Sequence, residues 1–523
     1  MSRRLRFLVS FLVLVCCTSP VRATQGAALE RGTAITDPLA LRELDRGRFG
    51  LAHILLPARS TDTPITGGQL FALPSMAPVR KTIDAEFERY IARHKADHPD
   101  VSIGVGDGND FQLFDRAPLY SDGSRFVLSG IVNRMDRAYV SPTACGEIRL
   151  IYRLIPTDVP QAGDSLASPR LPMTLNVVLK AKDDHAIGPG GGAITCAGIA
   201  GKWLAAGASR LTGAALAEKL VAPDGPLNSI APDNLDRIET NIQIVHALKS
   251  PTRDFRTDYL LKVFDYNART KTFEEAPLEN QIDRARILAD ENLKRAFKAW
   301  LLDPKHFTEL DRGTILIPPE FLATGAIAAT PVGFSTSNLQ PEFGLVQGDD
   351  AKVEPVFTSD DVVTALKKAA EQSGPLQNIR SVAGFERRLN DVTCSGCHQT
   401  RGIGGFHFPG VDWLAPHPSN ATIVPASPHF FGDQARRRDI LTALRDGRNP
   451  DYSRGFSSRP QLRGSAELAG TEYDDGWGAH CYASHANAAD NDRSFRLWGC
   501  AEGLACQVMD NASRMGMCFV KNR

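Results

Sequence analysis

Apolar residues recur along this chain with two periods, and each period predicts a different element. Residues 83–94 place Ile83, Phe87 and Ile91 at helical spacing, which predicts an amphipathic helix. A strand-rich stretch follows. Residues 125–133 form one candidate strand. Residues 146–154 form a second, alternating apolar and polar positions in part, as a half-buried strand does. Residues 173–181, 241–248 and 258–265 are three more. Pro142 and Thr143 fall between the first two strands and predict a long hairpin. The loop Gly188-Pro189-Gly190-Gly191-Gly192 lacks the Lys-Ser/Thr of a phosphate-binding loop and reads as a plain connection.

Between and beyond these strands the chain offers several helices. Residues 201–221 are rich in alanine and leucine and predict one helix. Residues 278–302 give the strongest helical pattern, with Ile282, Ile287, Leu288, Leu293, Phe297 and Leu301 on one face. A third helix is expected over 360–372, capped by Thr358 and Ser359 and stopped by Gly374-Pro375. From Arg401 onward the chain is loop-like, rich in Gly, Pro and His, until a short basic helix over 433–445. The last sixty residues hold four cysteines and little apolar mass, so they need covalent staples to hold a shape.

The N-terminus is not part of this fold. Arg3, Arg4 and Arg6 precede an apolar run at 7–17, and Val21-Arg22-Ala23 offers a cleavage site. This is the layout of a secretory signal peptide cut near Ala23. The run of about 11 residues is too short to span a membrane, which takes about 20, and no later stretch qualifies. A periplasmic or secreted protein is therefore expected. About 500 mature residues exceed one core and imply several domains. The expected architecture is α+β and multidomain. A β-rich α+β domain (24–275) is followed by a helical connector (276–355), a mainly helical haem domain (356–463) and a small disulfide-rich tail (464–523).

Composition is that of a globular protein, 42% hydrophobic and 23% charged. Removing the leader leaves 56 basic and 60 acidic residues, a net of −4, so nothing points to nucleic acid. Eight cysteines remain: Cys145, Cys196, Cys394, Cys397, Cys481, Cys500, Cys506 and Cys518. Export places them where disulfides form. The count fits four disulfides, or three plus one haem attachment. Cys145 and Cys196 are the expected pair outside the tail, joining the second strand to the glycine loop.

The motif Cys394-Ser395-Gly396-Cys397-His398 carries the chemistry. Cys-x-x-Cys-His is the attachment signature of c-type haem. Two thiols three positions apart reach the two vinyl groups of one porphyrin, and the adjacent His398 meets the iron from the proximal side. Small Ser395 and Gly396 let the backbone lie close to the ring. A plain Cys394–Cys397 disulfide or redox pair is an alternative, and so is a zinc site. The sixth iron position is open to several readings. No Met follows until Met509, whereas His407, His417 and His429 come sooner; His429 or His407 is the preferred distal ligand. An open distal site would instead favour peroxide or small-ligand chemistry.

These residues resemble the cytochrome c superfamily, over well under a quarter of the chain. The wider chain looks like large bacterial cytochrome c domain-containing proteins. They share patterns such as Ile131-Val132-Asn133-Arg134-Met135-Asp136, Cys145-Gly146-Glu147-Ile148-Arg149 and Cys397-His398-Gln399. The resemblance implies one haem c on Cys394 and Cys397 with His398 as iron ligand, and electron transfer or haem redox chemistry with a partner protein. A haem-dependent oxidoreductase or peroxidase-like activity is the enzymatic form of that reading. The competing one is a disulfide-stabilised surface or binding protein without enzymatic activity. No Ser-His-Asp, paired-carboxylate or phosphate-loop arrangement can be argued from spacing alone, so no catalytic residue is assigned. Arg134, Asp136, Glu147 and Arg149 sit on or beside apolar strands. They either pair in a buried network, the simpler reading, or line a site. Arg436-Arg437-Arg438 reads as a solvated helix face or as a patch steering an acidic partner.

Overall fold

The computed structural model describes residues 32–56, 63–157 (except 98, 106, 107, 110, 114, 142 and 143), 173–181, 194–246, 257–329, 356–394, 433–454, 480–483, 499–500, 504–507 and 515–520. The expected signal peptide, the glycine loop 188–192 and the turn residues Pro142 and Thr143 lie outside them. The chain is a mixed α+β protein built on a ten-stranded sheet.

In chain order the elements begin with β1 (Ala34–Ile35), α1 (Pro38–Arg46), α2 (Leu51–Leu55), α3 (Gly67–Phe71) and α4 (Ala77–Asp97). Strands β2 (Ile103–Val105), β3 (Phe111–Leu113), β4 (Ser124–Arg134), β5 (Glu147–Pro156) and β6 (Met173–Lys180) follow. Helices α5 (Cys196–Ala208) and α6 (Gly213–Val221) lead into β7 (Leu235–His246), β8 (Thr257–Asn267) and β9 (Thr272–Ala276). Next come α7 (Arg284–Ala289), α8 (Glu291–Leu301), α9 (Pro304–Arg312) and β10 (Gly325–Ala329). The remainder is α10 (Ser359–Ser373), α11 (Val382–Asp391) and α12 (Gln434–Arg445), then β11 (His480–Tyr482), β12 (Leu504–Gln507) and β13 (Met515–Val520).

The sheet runs β1-β4-β5-β6-β7-β3-β2, with β8 also on β7 and carrying β9 and β10. The expected hairpin is β4–β5, antiparallel with Arg134 opposite Glu147. A short 3₁₀ turn at Met135–Arg137 follows β4. Cys145 and Gly146 both take positive φ before β5. A Cβ on Gly146 would come within 2.6 Å of the Arg134 carbonyl oxygen, so only glycine fits there.

Side chains alternate across a strand, so the sheet has two faces. Ile148, Leu150, Tyr152 and Leu154 of β5, with Leu175, Val177, Ile238 and Ile242, join the principal core under α1–α6. The other face carries Glu147, Arg149, Arg153, Arg237 and Glu239. The expectation of a half-buried strand is corrected here: these polar positions are covered too, and β5 is buried on both faces. A second apolar cluster is built from α7–α11, around Phe297, Phe307, Phe357 and Phe385.

Two predicted helices are divided. Residues 201–221 form α5 and α6, broken at Ser209–Thr212. The pattern at 278–302 yields only α7 and α8. Asp283 and Asp290 turn their carboxylates onto the backbone N–H groups of Arg286, and of Asn292 and Leu293. Each therefore starts a helix where continuous periodicity implied none. Ile282 instead bridges to Leu322. The helix expected at 360–372 forms as α10, with Thr358 and Asp361 making a reciprocal capping box.

Cys145 and Cys196 form a disulfide, Cα atoms 5.3 Å apart. Cys196 opens α5 rather than belonging to the glycine loop, so the bond ties that helix to the entry of β5. It closes a separation of 51 residues, for which the chain-entropy estimate is roughly 4 kcal/mol. Cys145→Ala with Cys196→Ala is expected to lower the urea midpoint accordingly, and an unchanged midpoint would contradict this role. In the tail, β11-β13-β12 form a small sheet, and Cys500 and Cys506 are each disulfide-bonded. Among the described residues no helix is long and apolar enough to cross a membrane.

Candidate functional site

The covered polar face of the sheet is organised as a grid of guanidiniums and carboxylates. Glu147 accepts from Arg149 at 2.9 Å and from Arg237 at 2.9 Å, and Arg137 approaches it at 3.3 Å. Arg149 also donates to Glu239 at 3.1 Å, and Arg237 donates to both Glu239 and Asp236. Arg137 is paired in bidentate fashion with Glu279. Burial would raise the Glu147 carboxyl, but Arg237, Arg137, Arg149 and Arg134 outweigh it and hold the group well below the usual carboxylate range.

Asp136 centres a second cluster. It is fully buried and accepts from Arg134 at 2.9 Å, Arg436 at 2.9 Å and Arg454 at 2.6 Å. Burial pushes its carboxyl up, yet Arg134, Arg437, Arg454 and Arg436 hold it well below the ordinary value. Burial likewise presses Arg134 down to about 9. Asp433 accepts from Arg436 at 2.6 Å and from Arg437 at 2.7 Å. The basic run is therefore corrected at Arg436 and Arg437. Neither lies on a solvated face, because Asp433 and Asp136 draw their guanidiniums inward. Arg134, Asp136, Glu147 and Arg149 pair as expected, and Glu147 and Arg149 also line a cavity.

That cavity, about 470 Å³, has Arg137, Glu147, Arg149, Arg237, Glu239 and Glu279 on its charged side. Val263, Leu278, Val392 and Cys394 give it an apolar side. Cys394 follows α11 directly, and its side chain packs into a small cluster with Leu261, Val263, Leu278 and Ala328. Arg388 of α11 is wholly buried and donates to the carbonyls of Asp311 and Arg454, which fixes α11 against α9 and the 451–454 segment. The Cys394 sulfur is in no disulfide. Burial first, then Glu239 and Glu279, pushes its thiol pKa up, so it is held neutral. Cys397, His398, His407, His417 and His429 lie outside the described residues. Among the described residues no group of three or more His, Cys, Asp or Glu is placed to hold a metal ion.

Reading the sequence alone missed Arg137, Arg237, Glu239, Glu279 and Arg454. Arg237 and Glu239 carried a signal: they share one face of a strand whose opposite face holds Ile238, Ile242 and Ile244. Glu279 and Arg454 come from loops and carried none.

The charges set an acid limb for stability. Asp136, Glu147 and Glu279 all ionise more easily in the fold than their ordinary values of 3.8 and 4.5. Their contribution is complete above about 4.5 and is lost as pH falls through the lower folded values. Asp45, raised to about 6 by burial, acts in the opposite sense. It favours the fold below its ordinary value of 3.8 and loses that contribution as pH rises through about 6. Urea unfolding at stepped pH should give a shallow profile between 4 and 6 and a steep fall below 3.8. A free energy still rising below 3.8 would contradict the assignment.

In comparisons with known proteins, no family model, no curated protein and no solved structure matches the chain.

Proposed function

We propose that the chain is an exported protein carrying one c-type haem, attached through Cys394 and Cys397, with His398 as proximal iron ligand. His429 or His407 is the candidate distal ligand. The observation that carries this reading is the state of Cys394: a buried, neutral sulfur outside any disulfide, on the wall of a cavity. A thioether sulfur bears no charge, so this apolar setting suits it, whereas it disfavours the thiolate of a zinc site. The same observation favours haem attachment over a Cys394–Cys397 disulfide.

In this reading residues 356–463 form the haem domain, beside a β-rich domain at 24–275, a connector at 276–355 and a stapled tail at 464–523. Bound haem would supply one-electron exchange at iron, in electron transfer to a partner protein or in haem redox chemistry. On this reading the residues around Cys394 would position the attachment point. Arg388 fixes α11, and Leu261, Val263 and Leu278 enclose the sulfur and keep water from it. Location in the periplasm or outside the cell accords with the Arg3-Arg4 leader and with the Cys145–Cys196 disulfide.

The test is whole-protein mass combined with acid–acetone extraction of protein exported from a host competent in cytochrome c assembly. Haem retained after extraction and a mass greater by one haem support the proposal. A mass short only of disulfide hydrogens would replace it with the non-haem binding protein.

A further inference from the structure

The charges beside Cys394 are unevenly matched. The buried wall of the cavity holds the guanidiniums of Arg137, Arg149 and Arg237 and the carboxylates of Glu147 and Glu239. Arg149 bonds to both carboxylates, and Arg237 bonds to both and to the more exposed Asp236. Arg454 is engaged by Asp136, and Asp265 is exposed and bonds to none of these arginines. Arg137 is the exception. It comes within 3.3 Å of Glu147, yet its Nε atom forms no hydrogen bond there. Its two terminal nitrogens, the fork that grips a carboxylate, face Glu279 instead.

Glu279 does not belong to that buried wall. Its side chain is 40% exposed where that of Arg137 is 6% exposed, and among the described residues Arg137 is its one side-chain partner. Its backbone is fixed on both sides. The Leu278 N–H donates to the Ala323 carbonyl, and the Asn280 side chain bonds to the backbone of Ile315 and Ile317. Rotation of the Glu279 side chain is therefore enough to carry its carboxylate from Arg137 into water. What it leaves is a buried fork whose positive charge the strand carboxylates do not match, and a buried charge needs a partner. Tyr139 lies in the turn closed by the Val140 N–H on the Arg137 carbonyl. It lines the cavity, and its hydroxyl has no hydrogen bond among the described residues, so it can donate to the same incoming group. Val263, Leu278 and Val392 supply apolar wall for a hydrocarbon tail, and the volume lies in the range of small-molecule pockets.

We propose that this cavity is a binding site for a small aliphatic monocarboxylate gripped by the Arg137 fork, and that Glu279 is the internal carboxylate which fills the fork until the ligand displaces it. The strand carboxylates Glu147 and Glu239 hold the rest of the wall rigid while Glu279 swings. Binding requires no haem, so the proposal stands apart from the haem reading.

Calorimetric titration of the full mature protein with butyrate, and with its uncharged isostere butyramide, tests it. Saturable binding of butyrate, with none of butyramide, is expected. Glu279→Ala should tighten that binding tenfold or more, because it removes the competitor, and a gain of this kind does not arise from a damaged fold. Adding Arg137→Gln to Glu279→Ala should abolish the binding. Should the double variant lose its fold, the gain in Glu279→Ala decides. Butyrate binding no tighter in Glu279→Ala than in the wild type would overturn the proposal. So would equal binding of butyramide, binding that survives the loss of Arg137, or no binding by the wild type. Binding confined to the chain with Cys394→Ala and Cys397→Ala would also overturn it, by giving the cavity to attached haem.

Discussion

Replacing Asp136 by Asn is expected to cost about 3–5 kcal/mol of stability, the usual consequence of removing one partner from a buried ion pair. The size of the effect follows from what remains. Asp136 accepts from Arg134, Arg436 and Arg454, at the junction of β4, α12 and the 451–454 segment. Without its charge these guanidiniums face one another out of water, and an amide also presents donors to donors. Urea unfolding measures the loss directly. Asp446→Asn is the matched control, because Asp446 pairs with Arg445 and Arg448 at the exposed end of α12 and should leave stability unchanged. A loss below about 1 kcal/mol for Asp136→Asn would remove Asp136 from the centre of this junction.

The second large effect concerns the cofactor. Cys394→Ala combined with Cys397→Ala is expected to abolish covalent haem completely. The extracted polypeptide should have the mass of the bare chain and no Soret absorption. Cys394→Ala alone leaves at most one thioether. Only a thiol is removed from the Leu261, Val263 and Leu278 cluster, so the fold is expected to persist, read by far-ultraviolet circular dichroism. Full covalent haem in the double variant would end the assignment of these cysteines.

Much of the sheet was legible in the sequence because its apolar positions repeat every second residue. The strands at 125–133, 146–154, 173–181 and 258–265 all form, close to where alternation placed them. Helix boundaries were less legible. The apolar face of 278–302 runs straight through Asp290, and only the capping geometry of that carboxylate reveals the break. The burial of Arg149 and Glu239 was hidden for another reason. A charged residue opposite apolar ones reads as solvent-facing, and its covering layer comes from more than a hundred residues downstream. Cys394 was found by motif, but the cavity beside it was not, since Glu279, Arg454 and Asp265 converge from separate elements.

The clasp on Asp136 also bears on the order of assembly. Arg436 and Arg454 lie 300 and 318 residues after it in the chain. As the polypeptide emerges N-terminus first, β4 and β5 are complete long before these arginines arrive. Until then Arg134 and Asp136 lack Arg436 and Arg454, and the principal core lacks Leu441 of α12. The early half is thus held as an incomplete fold, and its last charges are neutralised when α12 docks. Contacts of such long sequence separation form slowly, so the rate of reaching the native state should be governed by docking of this late segment rather than by pairing of the strands.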